Sequence, residues 1–134
     1  MSTLRVDNIQ DNGSGFNDVV SFQNVNGTEN GRLCRAWVNF NGNGAVAIRA
    51  NFNVNSITDH GTGNYGINLA NAMTDASYAS AINTSDDNSA AIYYYIQGIA
   101  GGAFEPTSTT LRIYLFADCC GPADRTIVHA AFFR

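Results

Sequence analysis

The sequence contains no lysine, and its only strongly basic side chains are seven arginines, set against eleven Asp and Glu. With a formal charge of -4 and no basic stripe, little is present to neutralise a phosphate backbone, so nucleic acid is not an expected partner. Proline occurs only twice, and charged residues make up 13% of the 134 residues while hydrophobic ones reach 45%. A disordered chain would show the opposite balance. No apolar run approaches the roughly 20 residues that cross a bilayer, and residues 1–10 lack an apolar signal core, so neither membrane insertion nor a secretory leader is expected. Helical periodicity is missing as well. The alanine-rich stretch 70–81 is broken by Asn, Thr, Asp and Ser and reads as loop leading into strand.

Cysteine is scarce and odd in number: Cys34, Cys119 and Cys120. Three cysteines cannot form a fully paired intrachain framework, a vicinal Cys119–Cys120 bridge would be strained, and no C-x-x-C spacing points to structural zinc. Free thiols in a protein made in a reducing cytoplasm are the expected state.

What the chain does have is asparagine, 17 in all, and short β-type runs separated by turn signals. Ten runs have strand character, over 4–9, 16–22, 33–40, 45–54, 56–59, 64–69, 78–82, 92–99, 111–118 and 126–133. Asn41-Gly42-Asn43-Gly44 and His60-Gly61-Thr62-Gly63 are hairpin signals, because both Gly and Asn tolerate the positive φ of tight turns. Residues 120–124 are expected to turn the last strand back along 111–118. Such a rhythm predicts an all-β fold, an antiparallel β-sandwich of jelly-roll-like type with about eight to ten short strands. Residues 1–30 carry the turn pairs Asn12-Gly13, Asn26-Gly27 and Asn30-Gly31 with little apolar surface, and read as an N-terminal arm or neck. Residues 31–134 read as the sandwich domain.

Alternation assigns faces. In 45–54, Val46, Ile48, Ala50, Phe52 and Val54 share one face, with Ala47, Arg49, Asn51 and Asn53 on the other, as in a half-buried strand. Later strands are apolar on both sides: Leu111, Ile113 and Leu115 oppose Arg112, Tyr114 and Phe116, while Val128, Ala130 and Phe132 oppose Ile127, His129, Ala131 and Phe133. Residues 92–99 behave in the same way. One interior covers only one face, and leaving the other in water forfeits about 25 cal/mol per Å² of apolar area. A closed homo-oligomer is the simplest cover, with Tyr114, Phe116, His129 and Phe133 as candidate interface residues.

Residues 34–42, 45–54 and 56–65 (CRAWVNFNG, AVAIRANFNV and SITDHGTGNY), together with the opening STLRVDNIQ of 2–10, resemble the terminal domain of tail-fibre and related virion structural proteins of tailed bacteriophages. His60 stands where that pattern has Asn, and Asn64 where it has Asp, so a ligand held by that loop in relatives need not carry over. The resemblance implies a homotrimer at the tip of a virion appendage, made in the host cytoplasm. Its arm would contact other virion tail proteins and its tip a host receptor. It also leaves open an architectural role, as adaptor, decoration or head fibre, without a host ligand.

No enzyme is expected. No serine or cysteine sits in a nucleophile-elbow context, and the adjacent Asp86 and Asp87 would diverge rather than face one another across a groove. No cofactor or metal is expected, although a threefold axis would let His60 or His129 supply three ligands from one residue per chain. Glycan is the candidate ligand class: aromatic rings stack on sugar faces while amides and carboxylates bond hydroxyls. Tyr93, Tyr95, Asp86, Asp87, Asn88 and Glu105, on or beside exposed loops, are the candidate contacts. Trp37, within a strand, is expected to be packed.

Overall fold

The computed structural model describes residues 19–24, 27–85, 95–97, 105–117 and 121–134. The chain divides into two compact units, Met1–Leu33 and Cys34–Arg134. In the first, β1 (Val19–Asn24) and β2 (Gly27–Arg32) pair antiparallel, from Val19 opposite Arg32 to Asn24 opposite Gly27, as a sheet of two strands. Asn30 and Gly31, expected in a turn, therefore lie inside a paired strand. The strand expected over 4–9 is outside the described residues.

The second unit contains β3 (Cys34–Asn41), β4 (Ala47–Phe52), β5 (Val54–Asp59), β6 (Asn64–Leu69), β7 (Ala79–Ser85), β8 (Tyr95–Gln97), β9 (Thr110–Ala117), β10 (Gly121–Pro122) and β11 (Ile127–Phe133). No helix occurs among the described residues. One antiparallel sheet runs β4-β3-β11-β7; the other runs β10-β9-β6-β5, with β8 also paired to β9. The inward rows of both meet in a single core. Ala36, Val38 and Phe40 of β3 and Val128, Ala130 and Phe132 of β11 come from the first sheet, and Tyr65, Ile67, Leu111, Ile113 and Leu115 from the second. Phe40 and Tyr65 touch edge to face across the two sheets, with ring centres 5.3 Å apart. The architecture is thus all-β and consistent with a sandwich.

Two expectations need correction. β11 does not lie along β9: it sits between β3 and β7, in the other sheet. Only Gly121 and Pro122 fold back on Ala117 and Phe116 before the chain crosses over. The run 45–54 is also not one strand. It breaks at Asn53, whose φ of 54° lies in the left-handed region, and β4 and β5 belong to different sheets. Asparagine tolerates this conformation better than other non-glycine residues. Here its amide is also fully employed. Nδ2 donates to the carbonyls of Arg35 (3.1 Å) and Asn71 (3.2 Å), and Oδ1 accepts from the Asn71 backbone N–H (2.8 Å) and its Nδ2 (3.0 Å). The Asn53 carbonyl accepts from the Ala70 N–H at 3.1 Å. One side chain thereby ties the start of β3, the corner and the segment after β6.

A second tie closes the opposite end of β3. The Tyr65 hydroxyl lies 2.5 Å from Asp124 Oδ1 and 2.8 Å from the Gly42 carbonyl, and the same Asp124 oxygen accepts from the Gly63 N–H at 2.7 Å. The Gly42 N–H donates to the Arg125 carbonyl at 2.8 Å. Glycine is required at 63, where a Cβ would approach the Leu115 carbonyl to 2.4 Å. Three connections, β3–β4, β5–β6 and β10–β11, are thus pinned by one hydroxyl and one carboxylate.

Asn53→Ala is expected to destabilise the fold by about 2 kcal/mol, since it removes the largely solvent-accessible bonds of the corner and adds left-handed strain. Asn53→Gly restores the backbone freedom but not the bonds, so about 1 kcal/mol of the loss should return. Urea unfolding at constant m-value measures both.

Burial, and then the hydrogen bond to Asp124, raise the Tyr65 pKa far above its ordinary 10.0, and burial pushes Tyr78 up to about 12. Both tyrosines favour the folded state while neutral. Their contribution is intact below about pH 10; that of Tyr78 is lost as pH rises through about 12, and that of Tyr65 only at higher pH still. Phenolate absorbance followed together with far-ultraviolet dichroism should show two late-titrating tyrosines ionising with loss of strand signal. Normal titration of all six tyrosines without unfolding would contradict the assignment.

Candidate functional site

The outer face of the β4-β3-β11-β7 sheet is built by a shift in parity. Along β3 the buried Ala36, Val38 and Phe40 alternate with the exposed Trp37 and half-buried Asn39. Phe40 faces Ile48 across the β3–β4 ladder and Asn39 faces Ala50, so Arg49 is an extra residue, a bulge. One additional residue exchanges the two faces of a strand. Ile48 is therefore half-buried against the core, whereas Ala50 and Phe52 are exposed, contrary to the expectation that all three share an inward face. Trp37 is likewise not packed. It pairs across the ladder with Phe52, and the two side chains are 40% and 55% exposed.

The pair belongs to a row that crosses all four strands: Phe52 opposite Trp37, Trp37 opposite Ala131, Ala131 opposite Ala81. Phe133, 36% exposed, extends the apolar area along β11. The next outward row is Ala50, Asn39, His129 and Asn83, with Arg49 Nη1 donating to Asn39 Oδ1 at 3.4 Å. Neither row contains a carboxylate. Two large rings stand beside alanine methyls, so the face consists of a ridge and a shelf. Aromatic side chains of this kind dominate contact energetics where they are covered.

The outer face of the second sheet has a different chemistry. Asn68 Nδ2 donates to Ser56 Oγ (3.1 Å) and Thr58 Oγ1 (2.8 Å), and its Oδ1 accepts from Thr110 Oγ1 (3.3 Å). Arg112 Nε donates to Asn64 Oδ1 at 2.9 Å. Gly66, between Thr58 and Arg112 in register, leaves room for the His60 ring, whose Nε2 would lie 3.2 Å from an added Cβ. Beyond this polar ladder Tyr114 and Phe116 are half-buried, with ring centres 4.9 Å apart.

The four candidate interface residues do not form one patch. Tyr114 and Phe116 stand on the outer face of one sheet, His129 and Phe133 on that of the other. Among the candidate ligand contacts, Glu105 is exposed just before the Thr107–Thr110 turn. Tyr95 falls in β8 opposite Leu115, and its side chain is outside the described residues, as are Tyr93, Asp86, Asp87 and Asn88. No group of three His, Cys, Asp or Glu able to hold a metal ion occurs among the described residues. Trp37 and Phe52 were missed as surface residues. For Trp37 a signal existed, since its parity with Asn39 and Asn41 sets it on the polar side of β3. For Phe52 none did, because the Arg49 bulge has no local mark.

Comparison of the chain with protein-family models, with curated proteins and with solved structures returns no match in any of the three.

Replacing Trp37 and Phe52 together by alanine is expected to leave the stability of the sandwich within about 1 kcal/mol, because half-exposed side chains contribute little to the core. The same change should abolish whatever association covers this face. As the single tryptophan, Trp37 also reports directly: its emission should shift to the blue when the face is covered and to the red on dilution. Emission independent of concentration, together with an unchanged mass for the double variant, would remove the face from consideration.

Proposed function

We propose that the chain is a virion attachment protein of a tailed bacteriophage: a homotrimer whose jelly-roll-like sandwich forms a fibre tip and whose N-terminal unit joins other tail proteins. The observation that carries this reading is the outward Trp37–Phe52 pair on a sandwich whose core is complete without it. Large rings held on a sheet's water side are explained by a surface that another copy covers. The resemblance of residues 34–65 to virion fibre domains supplies the setting, and the repeated passage of the chain between sheets, from β4 to β5, β6 to β7 and β10 to β11, supports the jelly-roll-like type.

In this reading the tip contacts a host-surface receptor of glycan type, with Tyr93, Tyr95, Asp86, Asp87, Asn88 and Glu105 as the contacts. Threefold presentation turns weak individual contacts into avidity. The protein acts without catalysis, cofactor or membrane insertion, on the outside of the particle.

Light scattering on the full chain at micromolar concentration is expected to give three times the 14.3 kDa protomer mass, and the labelled oligomer should adhere to host cells. A 14.3 kDa species would refute the assembly. A trimer that ignores host cells but docks on purified tail or capsid protein would replace attachment by an architectural role.

A further inference from the structure

The β3–β4 turn holds two Asn-Gly pairs, Asn41–Gly42 and Asn43–Gly44, in unlike environments. Asn41 is held by its own amide, with Nδ2 donating to the Asn43 carbonyl at 2.7 Å and the Ala45 carbonyl at 3.3 Å, and Oδ1 accepting from the Asn43 N–H at 3.3 Å. Its following residue is equally fixed: Gly42 is buried, its N–H donates to the Arg125 carbonyl, and a Cβ there would meet the Tyr65 hydroxyl at 2.6 Å. Asn43 and Gly44 are both exposed, and nothing lies within 4 Å of the Cβ position at Gly44. Among the described residues neither the Asn43 side chain nor the Gly44 N–H makes a hydrogen bond.

We propose that Asn43 is a site of spontaneous, self-catalysed modification: deamidation through a cyclic imide with Gly44. The Gly44 backbone nitrogen, after losing its proton to water or hydroxide, attacks Asn43 Cγ. A new N–C bond closes the five-membered ring, the Cγ–Nδ2 bond breaks, and ammonia leaves with a proton from solvent. Water then opens either imide carbonyl, giving aspartate or isoaspartate at 43. No oxidant, metal or enzyme takes part. The reaction needs a following residue without a side chain, an uncommitted N–H and an amide free to rotate. Asn43–Gly44 meets all three conditions, and Asn41–Gly42 meets only the first. The product adds one negative charge to the turn that joins the two strands carrying Trp37 and Phe52. The isoaspartyl form also adds a methylene to the backbone of that turn. Asparagine is a thermolabile residue in general, but here the fold selects between two chemically identical pairs two residues apart.

The test is peptide mapping by mass spectrometry after incubating the full-length protein at mildly alkaline pH, well below the range in which its tyrosines ionise. In the native protein Asn43 is expected to convert at least about tenfold faster than Asn41, because reaction at Asn41 must wait for local opening. In concentrated urea the two rates should converge. Equal native rates, faster loss at Asn41, an intact Asn43 or a ratio unaffected by urea would each overturn the proposal. Gly44→Ala should slow Asn43 selectively, and should that variant fold poorly, the native-to-urea ratio of the unaltered chain decides the matter without it.

Discussion

The left-handed backbone at Asn53 carries the chain from one sheet to the other. Up to Phe52 the chain forms the edge of one sheet; from Val54 it forms the edge of the other. A single αL residue reverses direction so sharply only where its own polar groups are satisfied, and the bonds to Arg35 and Asn71 provide this from segments 18 residues away on either side. The Arg49 bulge acts just before the corner, exchanging the faces of β4 so that Phe52 meets Trp37 in water rather than the core. Bulge and corner together determine both the closure of the sandwich and the composition of its outer surface.

The other end is held by different chemistry for the same purpose. Tyr65 contributes its ring to the core against Phe40 and its hydroxyl to Asp124, so one side chain links apolar packing to the loops. Its neighbour Gly42 is held tightly by this arrangement, whereas Gly44, two residues on, is not. Rigidity in the turn is thus local, and the contrast in reactivity between two Asn-Gly pairs follows from where the tyrosine hydroxyl reaches.

Much of this architecture was legible in the sequence. The parity of Leu111, Ile113 and Leu115 against Arg112, Tyr114 and Phe116, and of Val128, Ala130 and Phe132 against His129 and Phe133, matches the burial found, because strand periodicity is a local property. The turns at Asn41–Gly44 and His60–Gly63 were equally plain. What escaped was nonlocal. The corner at Asn53 depends on carbonyls distant in sequence, the Arg49 bulge on the fit of β4 to β3, and the place of β11 on which row of apolar residues awaited Val128, Ala130 and Phe132. Trp37 was legible by its parity with Asn39 and Asn41 on the polar side of β3. Of the residues that carry the glycan reading, Glu105 is exposed before the Thr107–Thr110 turn and Tyr95 lies in β8, while Tyr93, Asp86, Asp87 and Asn88 lie outside the described residues.

Geometry also bears on how copies of this domain would meet. The outer face of the β4-β3-β11-β7 sheet carries Trp37, Phe52 and Phe133. The second sheet's outer face adds Tyr114 and Phe116, in a chemistry unlike the first. Two unlike faces suit a head-to-tail contact, in which each copy offers one face to the neighbour before it and the other to the neighbour after it. Such contacts close into a ring when the rotation permits, whereas a twofold pair would use one face and leave the other wet. Under the proposed assembly, a head-to-tail contact would answer two observations at once: rings exposed on one sheet, and half-buried aromatics on the other.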